Sequence, residues 1–165
     1  MLSVSASGSF AFDRISIGLG GAEQSSNVIR LGLQKDFGRS WYQTGTSELT
    51  GYWEASISHL DTSDKRGDDI TAYSLSPVFT YRFKKITFDP YIEAGVGISH
   101  ISKDKIGSLD LSGHVQFENR LGYGARFGTH RQHDVALRYI HFSNAGIKKP
   151  NDGINMLLVV YSYKF

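Results

Sequence analysis

Apolar and polar residues alternate with a period of two through most of the chain, and no helical repeat competes with that pattern. From Val135 to Ser143, one face carries Val135, Leu137, Tyr139, His141 and Ser143, and the other carries Ala136, Arg138, Ile140 and Phe142. Around Glu93, the apolar set Ile92, Ala94, Val96 and Ile98 opposes Glu93, Gly95, Gly97 and Ser99. The same split sets Leu49, Trp53, Ala55 and Ile57 against Glu48, Thr50, Glu54, Ser56 and Ser58. It also sets Tyr73, Leu75, Phe79, Tyr81 and Phe83 against Ser74, Ser76, Thr80 and Arg82. Phe117, Leu121, Tyr123 and Phe127 oppose Glu118, Arg120, Gly122 and Arg126, and Ile29, Leu31 and Leu33 oppose Arg30, Gly32 and Gln34. The last segment has Leu157, Val159, Tyr161, Tyr163 and Phe165 on one face, but its other face, Met156 to Lys164, turns polar only near the end. With a first strand around Ile15, Ile17 and Leu19, the pattern predicts an all-β chain of about eight strands, roughly twenty residues apart.

The polar faces decide between architectures. Arg30, Glu54, Arg82, Glu93, Glu118, Arg120 and Arg138 share their faces with Gly and Ser. A soluble lipid carrier would fill its interior with apolar side chains and turn these charges to water. Charges of both signs inside a narrow barrel neutralise one another, which leaves the aromatic face to meet lipid. The expected fold is therefore an eight-stranded antiparallel transmembrane β-barrel with a polar interior and a lipid-facing aromatic exterior. The competing soluble barrel or sandwich would bury Trp53, Tyr73, Phe79, Tyr81 and Phe165 instead. Connections support the membrane reading, because short ones (Phe83 to Ile86, Gly128 to His133) alternate with longer polar ones (Asp61 to Asp69, Ser102 to Asp110, Ala145 to Gly153). In outer-membrane barrels the long loops lie outside the cell. Here they carry Lys65, Arg66, Lys103, Lys105, Lys148 and Lys149, which suit anionic lipid head groups as well as plain solvation.

Composition narrows the function classes. The 165 residues make one domain, expected over 13–165, with 1–12 read as a signal-peptide remnant or disordered start. Mean hydropathy is −0.26 and no apolar run is long enough for a membrane helix, which leaves a membrane-spanning barrel open. The lack of Cys excludes disulfide frameworks and thiolate chemistry, and a net charge of +2 gives no field that argues for nucleic acid. His59, His100, His114, His130 and His133 show no tight ligand spacing, so neither a metal nor another cofactor is expected.

Chemistry concentrates at one strand end. His141 and Ser143 are two apart, so both side chains emerge on the face that should meet lipid. A polar pair at a strand's interfacial end has an innocent reading, but hairpin arithmetic adds neighbours. It places Asn155 roughly opposite Ser143 and Asn119 roughly opposite His141. A Ser beside a His is the nucleophile-and-base pair of acyl transfer. Asn144 and the amides of the Gly-containing turn that follows would stabilise an oxyanion. An esterase and a non-catalytic structural or adhesion barrel both remain open on these residues.

The run His141-Phe142-Ser143-Asn144-Ala145-Gly146-Ile147-Lys148-Lys149-Pro150-Asn151-Asp152-Gly153-Ile154 resembles the signature of the lipid A 3-O-deacylases, the PagL type of outer-membrane enzyme. Ser40 to Thr44, Leu49 to Trp53, Pro77 to Phe79 and Pro90 to Gly97 agree with it, and the resemblance covers nearly everything after Ile15. It implies an integral enzyme of the Gram-negative outer membrane that hydrolyses the ester-linked acyl chain at the 3 position of lipid A. It further implies Ser143 as nucleophile, His141 as base, Asn144 and Gly146 as oxyanion donors, and a dimer in some members. Two positions depart from the family pattern: Asn155 stands where that pattern has a Glu that orients the His, and Asn119 stands where it has Asp. The expected site is accordingly Ser143-His141-Asn155 with Asn119 in support, an amide replacing a full charge.

Overall fold

The computed structural model describes residues 11–24, 26–62, 69–85 and 87–165. Eight long strands form the wall: β1 (Arg14–Ala22), β2 (Ser26–Asp36), β4 (Ser47–Thr62), β5 (Ile70–Phe83), β6 (Asp89–Ile101), β9 (Val115–Phe127), β10 (His133–Ser143) and β11 (Ile154–Lys164). Three two-residue strands, β3 (Tyr42–Gln43), β7 (Lys105–Ile106) and β8 (Leu109–Asp110), decorate it. Each long strand pairs antiparallel with the next long strand in the chain, β2 with β4 included, and one further pairing, β1 with β11, closes the ring. The expected closed barrel is thus what forms, and no helix is present among the described residues.

Side-chain alternation follows the sequence pattern. Tyr73, Leu121 and Tyr123 are 57%, 62% and 62% exposed, whereas Arg30, Glu54, Glu118 and Arg138 are at most 2% exposed. Large apolar side chains therefore coat the outside, which removes the soluble-carrier reading: Trp53, Tyr73, Phe79 and Phe165 all point outward.

At mid-height the interior holds a network of three Arg and three Glu. Glu54 accepts from Arg30 (3.2 Å), Arg120 (2.6 Å), Arg138 (3.1 Å) and the Gln34 amide (2.9 Å). Glu118 takes Arg30 at 2.8 Å and Arg120 at 2.7 Å, and Glu93 takes Arg138 at 2.6 Å and the Tyr52 hydroxyl at 2.7 Å. Gly32 and Gly122 leave the room these long side chains need: a Cβ on Gly122 would lie 2.8 Å from the Glu93 side chain, and one on Gly32 would lie 3.2 Å from the Glu54 carboxyl carbon.

The interior is not polar throughout, however. Above the charges, Val28, Leu60, Ile70, Ala72, Ile101, Ile140, Phe142, Ile154, Met156, Leu158 and Val160 pack into an apolar plug, with Ile106 and Leu111 from the β7–β8 region closing it. The plug explains why the inner face of β11 stays apolar for most of its length. It occupies the barrel end where β1 finishes and β2 begins, termed here the upper rim.

Connections depart from strict alternation of length. Upper-rim connections span 23–25, 63–69, 102–114 and 144–153, the first of them a tight turn. At the lower end, 37–46 is long because it folds back on the wall: Phe37 N donates to Gly51 O (3.0 Å) and Trp41 N to Leu49 O (3.0 Å). The Phe37 ring then packs edge-on against Trp41 and Trp53, over Gly51, where a Cβ would sit 2.4 Å from that ring. Lys65, Arg66, Ile86 and the terminal residues 1–10 lie outside the described residues.

Removing one carboxylate from the mid-height network leaves a buried guanidinium short of a partner, a change that costs about 3–5 kcal/mol. Glu54→Gln is therefore expected to lower the urea midpoint for unfolding of the barrel in detergent micelles by that equivalent. An unchanged midpoint would show that the network adds nothing to stability.

Candidate active site

The upper rim brings the expected residues onto the outer wall, with a shifted register. His141 in β10, not Ser143, faces Asn155 in β11, and on its other side His141 faces Asn119 in β9. Ser143 lies opposite Phe117, beyond the last β10–β11 pair, Phe142 with Ile154. The hairpin arithmetic fails by two residues because the loop is more compact at its β11 end, where Gly153 takes a left-handed backbone (φ 72°) before pairing begins.

The imidazole is held from one side. His141 Nδ1 lies 2.7 Å from Asn155 Oδ1, which also accepts the Tyr139 hydroxyl. The amide Nδ2 of Asn155 donates to Glu23 Oε1 at 2.9 Å, and its main-chain N donates to Glu23 Oε2 at 3.1 Å. The inward-facing neighbours Ile140, Phe142, Ile154 and Met156 anchor both strands in the apolar plug, so the outward side chains stand on a packed, apolar support. Asn119 lies in the expected place but its side chain makes no hydrogen bond to His141 among the described residues, and none joins Ser143 to His141. Catalytic hydrogen bonds in ligand-free sites are commonly this loose.

The loop after Ser143 is fixed by Asn144, which is buried. Its main-chain N donates to Asn151 Oδ1 (2.9 Å), and its Nδ2 donates to Leu111 O (2.9 Å) and Lys148 O (3.2 Å). Asn144 is thereby committed to the turn rather than offered to a ligand. Ala145 and Gly146 both take positive φ (54° and 77°), a nest-like turn in which the Gly146 N–H has no acceptor among the described residues. The β7–β8 hairpin buttresses this loop: Asp110 N donates to Asp152 Oδ2 at 2.7 Å, and Asp152 N to Asp110 O at 3.2 Å. The Ser112 N–H and then Lys105 hold the Asp110 carboxyl below the usual carboxylate range.

Beside Asn119 a shallow groove of about 400 Å³ runs down the wall, lined by Pro77, Phe79, Ala94, Gly95 and Val96. Pro77 offers no N–H to β6, and the β5–β6 pairing is interrupted there, between Leu75 with Ile98 and Val78 with Gly95. The described residues hold no cluster of three or more His, Asp or Glu that would bind a metal.

Two contributors escape the sequence reading. Glu23 is 132 positions from Asn155 and reaches it only because β1 closes the barrel against β11. Asn151 sits inside the quoted signature run, yet its contact with Asn144 depends on the loop's fold.

A family model described as lipid A 3-O-deacylase (PagL) matches residues 27–164. The chain is 40% identical over 147 residues to the lipid A deacylase PagL of Pseudomonas aeruginosa, covering 89% of this chain and 83% of that one. It is 34% identical over 133 residues to the lipid A deacylase PagL of Bordetella bronchiseptica, covering 78% and 67%. In three dimensions it is similar to the crystal structure of the outer membrane enzyme PagL, with a TM-score of 0.85 at 38% identity over 92% of this chain and 99% of that one. The crystal structure of Neisserial surface protein A is similar in fold alone, with a TM-score of 0.57 at 14% identity over 93% and 96%.

Gly153 is the tightest point of the site. A Cβ there would lie 2.7 Å from His141 Cε1 and 3.0 Å from Phe142 O, on a left-handed backbone. Gly153→Ala should therefore displace the imidazole and add about 1–2 kcal/mol of backbone strain. The expected readout is a shifted His141 ring resonance with the barrel still folded; an unmoved resonance would contradict the crowding.

Proposed function

The chain belongs to the lipid A 3-O-deacylase (PagL) family, and from that premise we propose that it hydrolyses the 3-O-linked acyl ester of lipid A with Ser143 as nucleophile and His141 as base, on its lipid-facing wall. It is an ester-hydrolysing enzyme of the outer membrane, as its family is. The observation that carries the residue assignment is the 2.7 Å contact of His141 Nδ1 with Asn155 Oδ1, on the strand face that also presents Ser143. An imidazole whose Nδ1 proton goes to an acceptor keeps its Nε2 lone pair available.

In the proposed sequence the Ser143 hydroxyl attacks the ester carbonyl as its proton passes to His141 Nε2. The tetrahedral oxyanion is met by the Gly146 N–H, with Asn144 shaping the turn and Asn119 flanking the substrate. Collapse expels the sugar 3-hydroxyl, which takes the proton from His141. Water, deprotonated by the same imidazole, then releases the fatty acid and restores Ser143. The upper rim faces outward in this reading, so the ester lies at the outer leaflet, the acyl chain follows the groove beside Asn119, and Lys148 and Lys149 meet the lipid A phosphates. No cofactor takes part. A homodimer belongs to the same proposal.

Ser143→Ala and His141→Ala are each expected to leave a heat-modifiable barrel and to cut release of 3-hydroxy fatty acid by about a thousandfold or more. Mass spectrometry of lipid A before and after incubation reads the outcome, and substantial release by either variant would remove the mechanism.

A further inference from the structure

The Asn that faces His141 is ambiguous as a partner. A side-chain amide can turn either its oxygen or its nitrogen to an imidazole, and only the oxygen leaves the ring in the basic form that a Ser needs. Turned the other way, the amide would donate to Nδ1, and the ring proton would move to Nε2, where it blocks attack.

The choice is made on the far side of the amide. Glu23 lies in the turn after β1, one step beyond the last β1–β11 pair, Ala22 with Met156, and its main-chain N donates to Asn155 O at 3.2 Å. Its carboxylate then accepts twice from the same residue, Asn155 Nδ2 to Oε1 at 2.9 Å and Asn155 N to Oε2 at 3.1 Å. A carboxylate has no proton to give, so the amide atom facing it must be Nδ2. Oδ1 is thereby turned toward His141 Nδ1 at 2.7 Å, and the Tyr139 hydroxyl donates to the same oxygen. Of the groups around the amide, the carboxylate alone is unable to adapt to a reversed orientation, because a hydroxyl can accept as well as donate and an imidazole can change tautomer.

We infer that Glu23 is a positioning residue that locks the Asn155 amide, and through it the His141 tautomer, so that the relay runs Glu23 to Asn155 to His141 to Ser143. This inference rests on the assignment of Ser143 and His141 made above. Glu23 supplies the negative charge that Asn155 lacks, one residue further from the reacting atoms.

The test is a double-mutant cycle on the full chain in detergent micelles, read as kcat and KM for fatty-acid release from lipid A, with heat modifiability checking each fold. Glu23→Ala is expected to lower kcat about tenfold or more with little change in KM, since it frees the amide without touching substrate. Glu23→Gln, which keeps one accepting oxygen but places a donor against Asn155, should fall between it and the unmodified protein. Asn155→Glu alone should also be slower, because it sets a second carboxylate against Glu23 where the amide N stands 2.9 Å away. The combination of Glu23→Ala with Asn155→Glu should recover most of the lost rate, since a carboxylate now faces His141 directly and needs no lock. Nitrogen chemical shifts of His141 give a second readout, with Glu23→Ala moving the neutral ring away from the Nδ1-protonated tautomer. Full kcat in Glu23→Ala, or a double variant no faster than Glu23→Ala, overturns the inference. Activity retained in Ser143→Ala would instead overturn the catalytic assignment on which it stands.

Discussion

A strand set in hydrocarbon has no water to satisfy its N–H and C=O groups, so every one must find another strand. The structure depends on that requirement. It forces β1 onto β11 and β2 onto β4, and it leaves side-chain alternation as the only freedom each strand retains. The same closure that satisfies the backbone sets the turn after β1 beside the start of β11, and so delivers Glu23 to Asn155. A neighbour of the candidate site is supplied by ring closure rather than by local chain geometry.

Inside the ring, two kinds of packing divide the height. The lower and middle layers use ion pairs, in which Arg30, Arg120 and Arg138 are matched by Glu54, Glu93 and Glu118, so the buried charge sums to zero within the network. The upper layer uses Ile140, Phe142, Ile154 and Met156, the inward neighbours of the site residues. An apolar plug fits that position better than a second ionic layer would. Close-packed side chains hold strand ends still behind a half-buried imidazole on the opposite face of the same strand.

The period-two pattern made the strand number, the inside-out polarity and the shared face of His141 and Ser143 legible in the sequence, because alternation is a local property of the chain. Asn119 was legible for the same reason, its tight hairpin through Gly128 fixing the register with His141. Asn155 was placed on the same face but opposite the wrong partner, since register across the 144–153 loop depends on turns that pairing arithmetic does not contain. Asn144 carried a donor role in the sequence reading, whereas its N–H and Nδ2 are taken by Asn151, Leu111 and Lys148 in contacts that only the folded loop creates. The apolar plug could be glimpsed in Met156, Leu158 and Val160, but its contributors from β2, β4, β5 and the β7–β8 region converge only once the barrel closes. Glu23 left no trace at all, for a Glu in a three-residue turn has nothing to distinguish it until its neighbour across the seam is known.

That placement also suits the wall on which the chemistry would occur. A carboxylate bonded directly to His141 would have to be charged on a surface that meets lipid, where ionised groups are costly, most steeply toward mid-membrane. An amide at Asn155 is half-buried and neutral, while Glu23 is exposed in the turn above the strand end. Moving the charge one residue outward brings it nearer to water and the head groups and lowers its desolvation cost. The cost of that move is a weaker pull on the imidazolium, since Coulombic attraction falls with distance and the amide transmits orientation more fully than charge. The arrangement therefore exchanges some stabilisation of the charged imidazole for a neutral partner on the wall, and keeps the tautomer by fixing which way a single amide faces.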